Sequence, residues 1–193
     1  MISPPSRFAD GVWFAAPGLA AFAALSLILD PEAAGFTAFL AVAMAAITWS
    51  DVRFFIVPDV ISLPAIPIGL AANSVVIHQA WGSGLLESLW GATLGAGILY
   101  LVRYAYFRLR NIEGLGLGDV KLGAVAGAWL GPGLLAPACL AATLTALLVV
   151  LLMMLSGRTG PSTQLHIPFG SFMAPVIVLF WGFRLWELGL PVT

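Results

Sequence analysis

Charge is what this chain has least of. Only 9% of its 193 residues are Asp, Glu, Lys or Arg, while 61% are hydrophobic. A soluble domain carries about 25% charged residues to dress its surface for water, so this composition excludes a water-soluble globule. Cysteine is reduced to one, Cys139, inside an apolar run. That excludes a disulfide framework and a Cys-based zinc site. The two histidines, His78 and His166, lie far apart and belong to no H-E-x-x-H pattern, so neither a metal nor an organic cofactor is expected. A formal net charge of -1 leaves no basic surface for nucleic acid. No repeat recurs at a fixed period.

What the chain does have is apolar runs long enough to cross a hydrocarbon core, which takes roughly 20 residues as a helix. The expected fold is all-α, a polytopic transmembrane helix bundle in a lipid bilayer. Seven spans are expected: Gly11–Leu29, Phe36–Ser50, Val60–Ile77, Leu86–Tyr106, Asp119 to about Pro132-Gly133, Leu134–Leu155 and Phe169–Leu188. The count drops to six if the fifth and sixth are one. Pro64 and Pro67 predict a kink in the third. The N-terminus does not read as a cleavable signal, because Asp10 interrupts the approach and the run that follows is long enough to span. The chain reads as one domain over 1–193, with 1–35 an accessory first span and 36–193 the core.

The few charges orient the bundle. With alternating spans, one side collects Arg7, Arg53, Arg103, Arg108, Arg110, Lys121 and Arg158. The other holds Arg184 with the acidic Asp30, Glu32, Glu87 and Glu187. An excess of Lys and Arg in short loops marks the cytoplasmic side, so the N-terminus is expected inside and the C-terminus outside.

Ionisable groups at membrane depth are costly, about 2.5 to 3.5 kcal/mol on insertion scales, and are functional candidates by default. Asp51 ends the second span and Asp119 starts the fifth, and the charge bias puts both at the cytoplasmic face. Two carboxyls brought together share a proton. The ionised one can then take a proton from water while the protonated one polarises a carbonyl. Taken singly, Asp51 also reads as a helix-end residue near Arg53, and Asp119 as a first-turn anion favoured by the helix dipole.

Two longer segments surround these aspartates. Asp51-Val-Arg-Phe-Phe-Ile-Val57-Pro58-Asp59 resembles the first aspartate motif of type IV prepilin peptidases, in which proline follows seven residues on and asparagine is usual next. Glu113-Gly-Leu-Gly116-Leu117-Gly118-Asp119-Val120-Lys121-Leu122, continuing to Gly127-Ala-Trp129-Leu-Gly131, resembles the family's G-x-G-D motif. Ile167-Pro168-Phe169-Gly170 resembles the start of its final helix. The resemblance implies that Asp51 and Asp119 are the catalytic pair of a membrane aspartyl endopeptidase, needing no cofactor. It also implies removal of basic leader peptides from type IV prepilins or pseudopilins at the cytoplasmic face of the inner membrane.

Supporting roles are expected for Gly116, Gly118, Lys121, Pro58, Pro168, Phe169 and Gly170. Acidic Asp59 and Glu113 are placed to attract a basic leader. Three features depart from the family pattern. With one cysteine there are no paired C-x-x-C motifs, so peptidase activity without methylation is expected, as in short members serving Flp-type pili. Asp59 replaces the usual asparagine. Ser171 replaces a common proline, which is expected to loosen the start of the last helix.

Glycine spacing (Gly91 and Gly95; Gly123, Gly127 and Gly131) predicts close helix packing. Two other functions stay open. One is a proton- or cation-coupled transporter or channel using the paired aspartates, for which Asn73 and His78 offer a sparse path. The other is a non-catalytic pilus or secretion assembly subunit. The substrate's identity and the oligomeric state are not legible.

Overall fold

The computed structural model describes residues 29–77, 81–111, 115–156 and 168–189. The span expected over residues 11–29 falls outside them but for Leu29, as do Arg7, His78, Glu113, Arg158 and His166. Every regular element among the described residues is helical, and five of these helices are long and apolar enough to cross a membrane. They are α1 (Pro31–Phe54), α2 (Asp59–Ala72, carried on to Ile77 by a π turn), α3 (Trp81–Arg110), α4 (Leu117–Leu155) and α5 (Phe169–Glu187). Leu144, Leu148, Leu151 and Leu155 stand exposed along α4, an apolar face of the kind a membrane covers.

α1 begins five residues before the expected span, because Pro31 suits the first helical position and Glu32 complements the dipole. It also runs past Asp51. Residues 33, 37, 40, 44, 47 and 51 recur at alternating steps of four and three, and all six are buried. Asp51 therefore lies on the stripe that faces the bundle, not on a solvated helix end. The helix stops at Phe55, whose φ of 55° is a left-handed conformation that a bulky residue rarely adopts.

α2 keeps Pro64 and Pro67 inside a continuous helix and then widens into a π turn, Asn73–Ile77. Trp129 of α4 packs against this stretch of α2. Its Nε1–H donates to the Ala65 carbonyl at 2.8 Å, and its ring lies where a Cβ on Gly69 would come within 2.5 Å of it. The same ring stacks on Phe39 of α1 and meets Trp181 of α5 edge-on at 5.1 Å. Trp181 in turn donates to Thr37 Oγ1 of α1. Four helices thus converge on one indole.

Around Pro132-Gly133 the sequence predicts a division between two spans. The structure has one element, α4, interrupted at Gly131 with φ 71° and ψ 175°. Gly95 of α3 packs against both Gly123 and Leu135. In a straight helix those two residues would stand about 18 Å apart, so the chain beyond Gly131 turns back along α3. Arg184 of α5 reaches this break, donating to the Trp129 carbonyl at 3.3 Å and to Glu87 Oε1 of α3 at 2.9 Å.

Before the break, Gly91 meets Gly127 and Gly95 meets Gly123, backbone against backbone. A methyl at 127 would fall on the Gly91 carbonyl. Gly127→Ala is expected to lower stability by about 1–3 kcal/mol through overpacking, measured by thermal unfolding in detergent. Gly97→Ala, in open space on the same helix α3, is the control and should leave the melting temperature unchanged or raised.

Candidate functional site

The G-x-G-D segment builds the start of α4. Gly116 is its N-cap and Asp119 its third residue. The Gly116 N–H donates to Asp119 Oδ2 at 3.2 Å, half of a capping box in which the acid reaches back over the first turn. Arg103 of α3 donates to the Leu115 carbonyl and so holds the segment before it. This capping is the structural role anticipated for a first-turn acid, and it fixes the carboxyl in place.

Asp51 is fixed by a different helix. The Ser171 N–H, in the first turn of α5, donates to Asp51 Oδ2 at 2.7 Å. The absence of proline at 171 thus has a consequence opposite to a loosened start. Ser171 Oγ and N–H both reach the Pro168 carbonyl, at 2.6 and 3.2 Å, and close the turn. A proline there would have no N–H to offer Asp51.

Each carboxyl is therefore held through one oxygen by a main-chain N–H at a helix start. Asp51 and Asp119 line a single open cleft of about 310 Å³, with Asp59, Gly116, Gly118 and Lys121 around it. Among the described residues no group of three or more His, Cys, Asp or Glu gathers to hold a metal.

The remaining residues singled out in the sequence fall as follows. Pro58 caps α2 and its carbonyl accepts from the Ile61 and Ser62 N–H groups. Asp59 is paired with Lys121, Nζ to Oδ1 2.5 Å, so the carboxylate meets a lysine where an asparagine amide would have donated. Pro168 caps α5, Phe169 packs half-buried against the core, and Gly170 lies against Asp51. Glu113 lies outside the described residues. Pro58, Pro168, Phe169 and Gly170 are not among the residues that line the cleft.

Sequence reasoning missed three parts. Ser171 acts through its main chain, which its side-chain identity does not advertise. Val57, buried between the motifs, touches glycines of both other segments. Ser50 Oγ donates to the Ile56 carbonyl at 2.9 Å, folding the loop after Asp51 back on its helix. The only signal for these was position, each adjoining or lying within a quoted motif.

Comparison with known proteins bears on the same residues. The profile of the type IV leader peptidase family matches residues 38–154. A prepilin leader peptidase/N-methyltransferase of Burkholderia pseudomallei (strain 1026b) is 35% identical over 172 residues, covering 86% of this chain and 53% of the relative. The protein of the same name from Pseudomonas aeruginosa is 33% identical over 157 residues, covering 77% of this chain and 52% of the relative. Leader peptidase HopD of Escherichia coli is 34% identical over 128 residues, covering 64% of this chain and 77% of the relative. This chain spans about half the length of the first two. No solved structure matches it.

Proposed function

The chain belongs to the type IV leader peptidase family, and on that premise we propose that it is a membrane aspartyl endopeptidase. Its substrates are type IV prepilins or pseudopilins, whose basic leader it removes at the cytoplasmic face of the inner membrane. Asp51 and Asp119 are the catalytic pair. The observation that carries this reading is their meeting in one cleft from the ends of two different helices.

The chemistry follows from the anchoring. Oδ2 of each carboxyl is engaged by a main-chain N–H, which leaves Oδ1 without a hydrogen-bond partner among the described residues. One carboxylate takes a proton from water as the oxygen attacks the scissile carbonyl. The other, carrying the shared proton, donates to that carbonyl oxygen. The tetrahedral intermediate collapses as the leaving nitrogen gains a proton. One proton shared by the pair also gives activity that falls on both sides of an optimum pH.

A substrate with a basic cytoplasmic leader and an apolar helix presents its scissile bond at the interface. The cleft end of the bundle carries Arg53, Lys121, Arg103, Arg108 and Arg110, which by the Lys/Arg bias is the cytoplasmic end. Gly131 divides α4 into two passes in this reading, giving seven spans with residues 11–29.

The experiment is to reconstitute the chain in liposomes with a precursor carrying a basic leader before an apolar helix, and to follow leader release. Release of a discrete leader supports the reading. An intact precursor at full incorporation overturns it. In the same assay Asp59→Asn is expected to change the rate by less than about fivefold. The Asp59–Lys121 pair is partly exposed, and such pairs contribute about 0–1 kcal/mol.

A further inference from the structure

Val57 belongs to no helix and carries no chemistry, yet it touches the glycine before Asp119 and the glycine before the Ser171 that holds Asp51. It lies between the end of α1 and the start of α2, and only 7% of it is exposed. A Cβ on Gly118 would stand 3.0 Å from both its Cβ and its Cγ2. A Cβ on Gly170 would stand 3.3 Å from the same Cγ2 and 2.9 Å from Asp51 Oδ2. Gly118 immediately precedes Asp119. Gly170 immediately precedes Ser171, whose N–H holds Asp51. One isopropyl group is therefore wedged between the start of α4 and the start of α5.

Resting on the dyad reading above, we propose that Val57 is a positioning residue whose side chain sets the gap between the carboxyls of Asp51 and Asp119. A β-branched side chain suits a spacer, because its χ1 is stiff and its two methyl groups hold their directions. The two glycines are the complementary half of the device. Each omits a side chain where the wedge needs contact with main chain. A catalytic pair tolerates little error, since a misplacement of about 1 Å costs about 100-fold in rate.

The test uses the full chain with a prepilin substrate and separates kcat from KM. Gly118→Ala drives a methyl into Val57, and kcat should fall about 100-fold with KM little changed. Adding Val57→Gly removes both atoms in the way and leaves the residue 57 nitrogen at an ordinary 3.6 Å. The double variant should recover to the level of Val57→Gly alone. Gly170→Ala should not be rescued by Val57→Gly, because its methyl still meets the Asp51 carboxyl. Rescue of both glycine variants, or of neither, overturns the proposal.

Should Gly118→Ala not fold, Val57→Ala and the isosteric Val57→Thr decide. The first should lose about tenfold in kcat and the second much less, on the same geometric argument. Equal kcat in both, with only the melting temperature lowered, would make Val57 mere packing and overturn the proposal.

A readout independent of cleavage keeps the two readings apart. With Cys139→Ser, the pair Asp51→Cys and Asp119→Cys is cross-linked by a short bifunctional maleimide. The yield should fall when Val57→Ala is added. An unchanged yield sinks the spacer role, whether or not the chain is a peptidase.

Discussion

Asp51→Asn and Asp119→Asn each leave the precursor uncut, with the rate down by at least about a thousandfold, the scale of lost general acid–base catalysis. Asparagine keeps the shape of the side chain and an oxygen to accept from the Ser171 or Gly116 N–H. It cannot shuttle a proton. Both variants should therefore insert, extract as monodisperse protein and melt near the wild-type temperature. The measurement is leader release per unit of folded protein. Near-normal cleavage by either variant would remove that residue from the reaction. Loss of folded protein in the Asp119 variant alone would instead point to its capping role at the start of α4.

Trp129→Ala is expected to be the most damaging single change to stability, by about 3–5 kcal/mol, the range for deleting a buried aromatic ring. The indole is fully buried and touches α1, α2 and α5 at once. In lipid the driving force is packing and hydrogen bonding, since an acyl chain is as apolar as a leucine. A hole at the meeting point of four helices is therefore costly. Trp129→Phe keeps most ring contacts and loses the Nε1–H bond to Ala65, at about 1 kcal/mol. Denaturation in mixed detergent micelles measures both. A Trp129→Ala protein as stable as wild type would mean that the helices are held elsewhere.

The contrast between these residues bears on what a sequence can disclose. Membrane character, and the helices over residues 36–50, 60–77, 86–106 and 169–187, were legible because lipid imposes a length and a polarity that composition reports directly. The meeting of Asp51 and Asp119 in one cleft was foreshadowed by charge bias, which sorts loops by side without any knowledge of packing. The stripe from Ala33 to Asp51 was less visible. In an almost uniformly apolar helix the buried and lipid-facing positions share one chemistry, so periodicity carries little contrast. The Ser171 anchor was hidden for another reason: a main-chain N–H has no letter in the sequence. The turn at Gly131 lay one residue before the expected Pro132-Gly133. A proline marks where a helix cannot continue, while the positive φ falls on the glycine ahead of it.

That turn has a further consequence. The limb of α4 that carries Asp119 runs only from residue 117 to 130, a rise of about 21 Å at ~1.5 Å per residue. A hydrocarbon core is about 30 Å thick. The deficit is a hydrophobic mismatch built into the element that bears half of the candidate dyad. Bilayers meet such a mismatch by thinning locally or by drawing polar groups toward the short end. On the proposed peptidase reading the reaction consumes water, and local thinning beside a short limb is expected to bring the headgroup layer nearer the cleft. On that reading, leader release is expected to depend on bilayer thickness, which a series of phosphatidylcholines of increasing acyl length would measure.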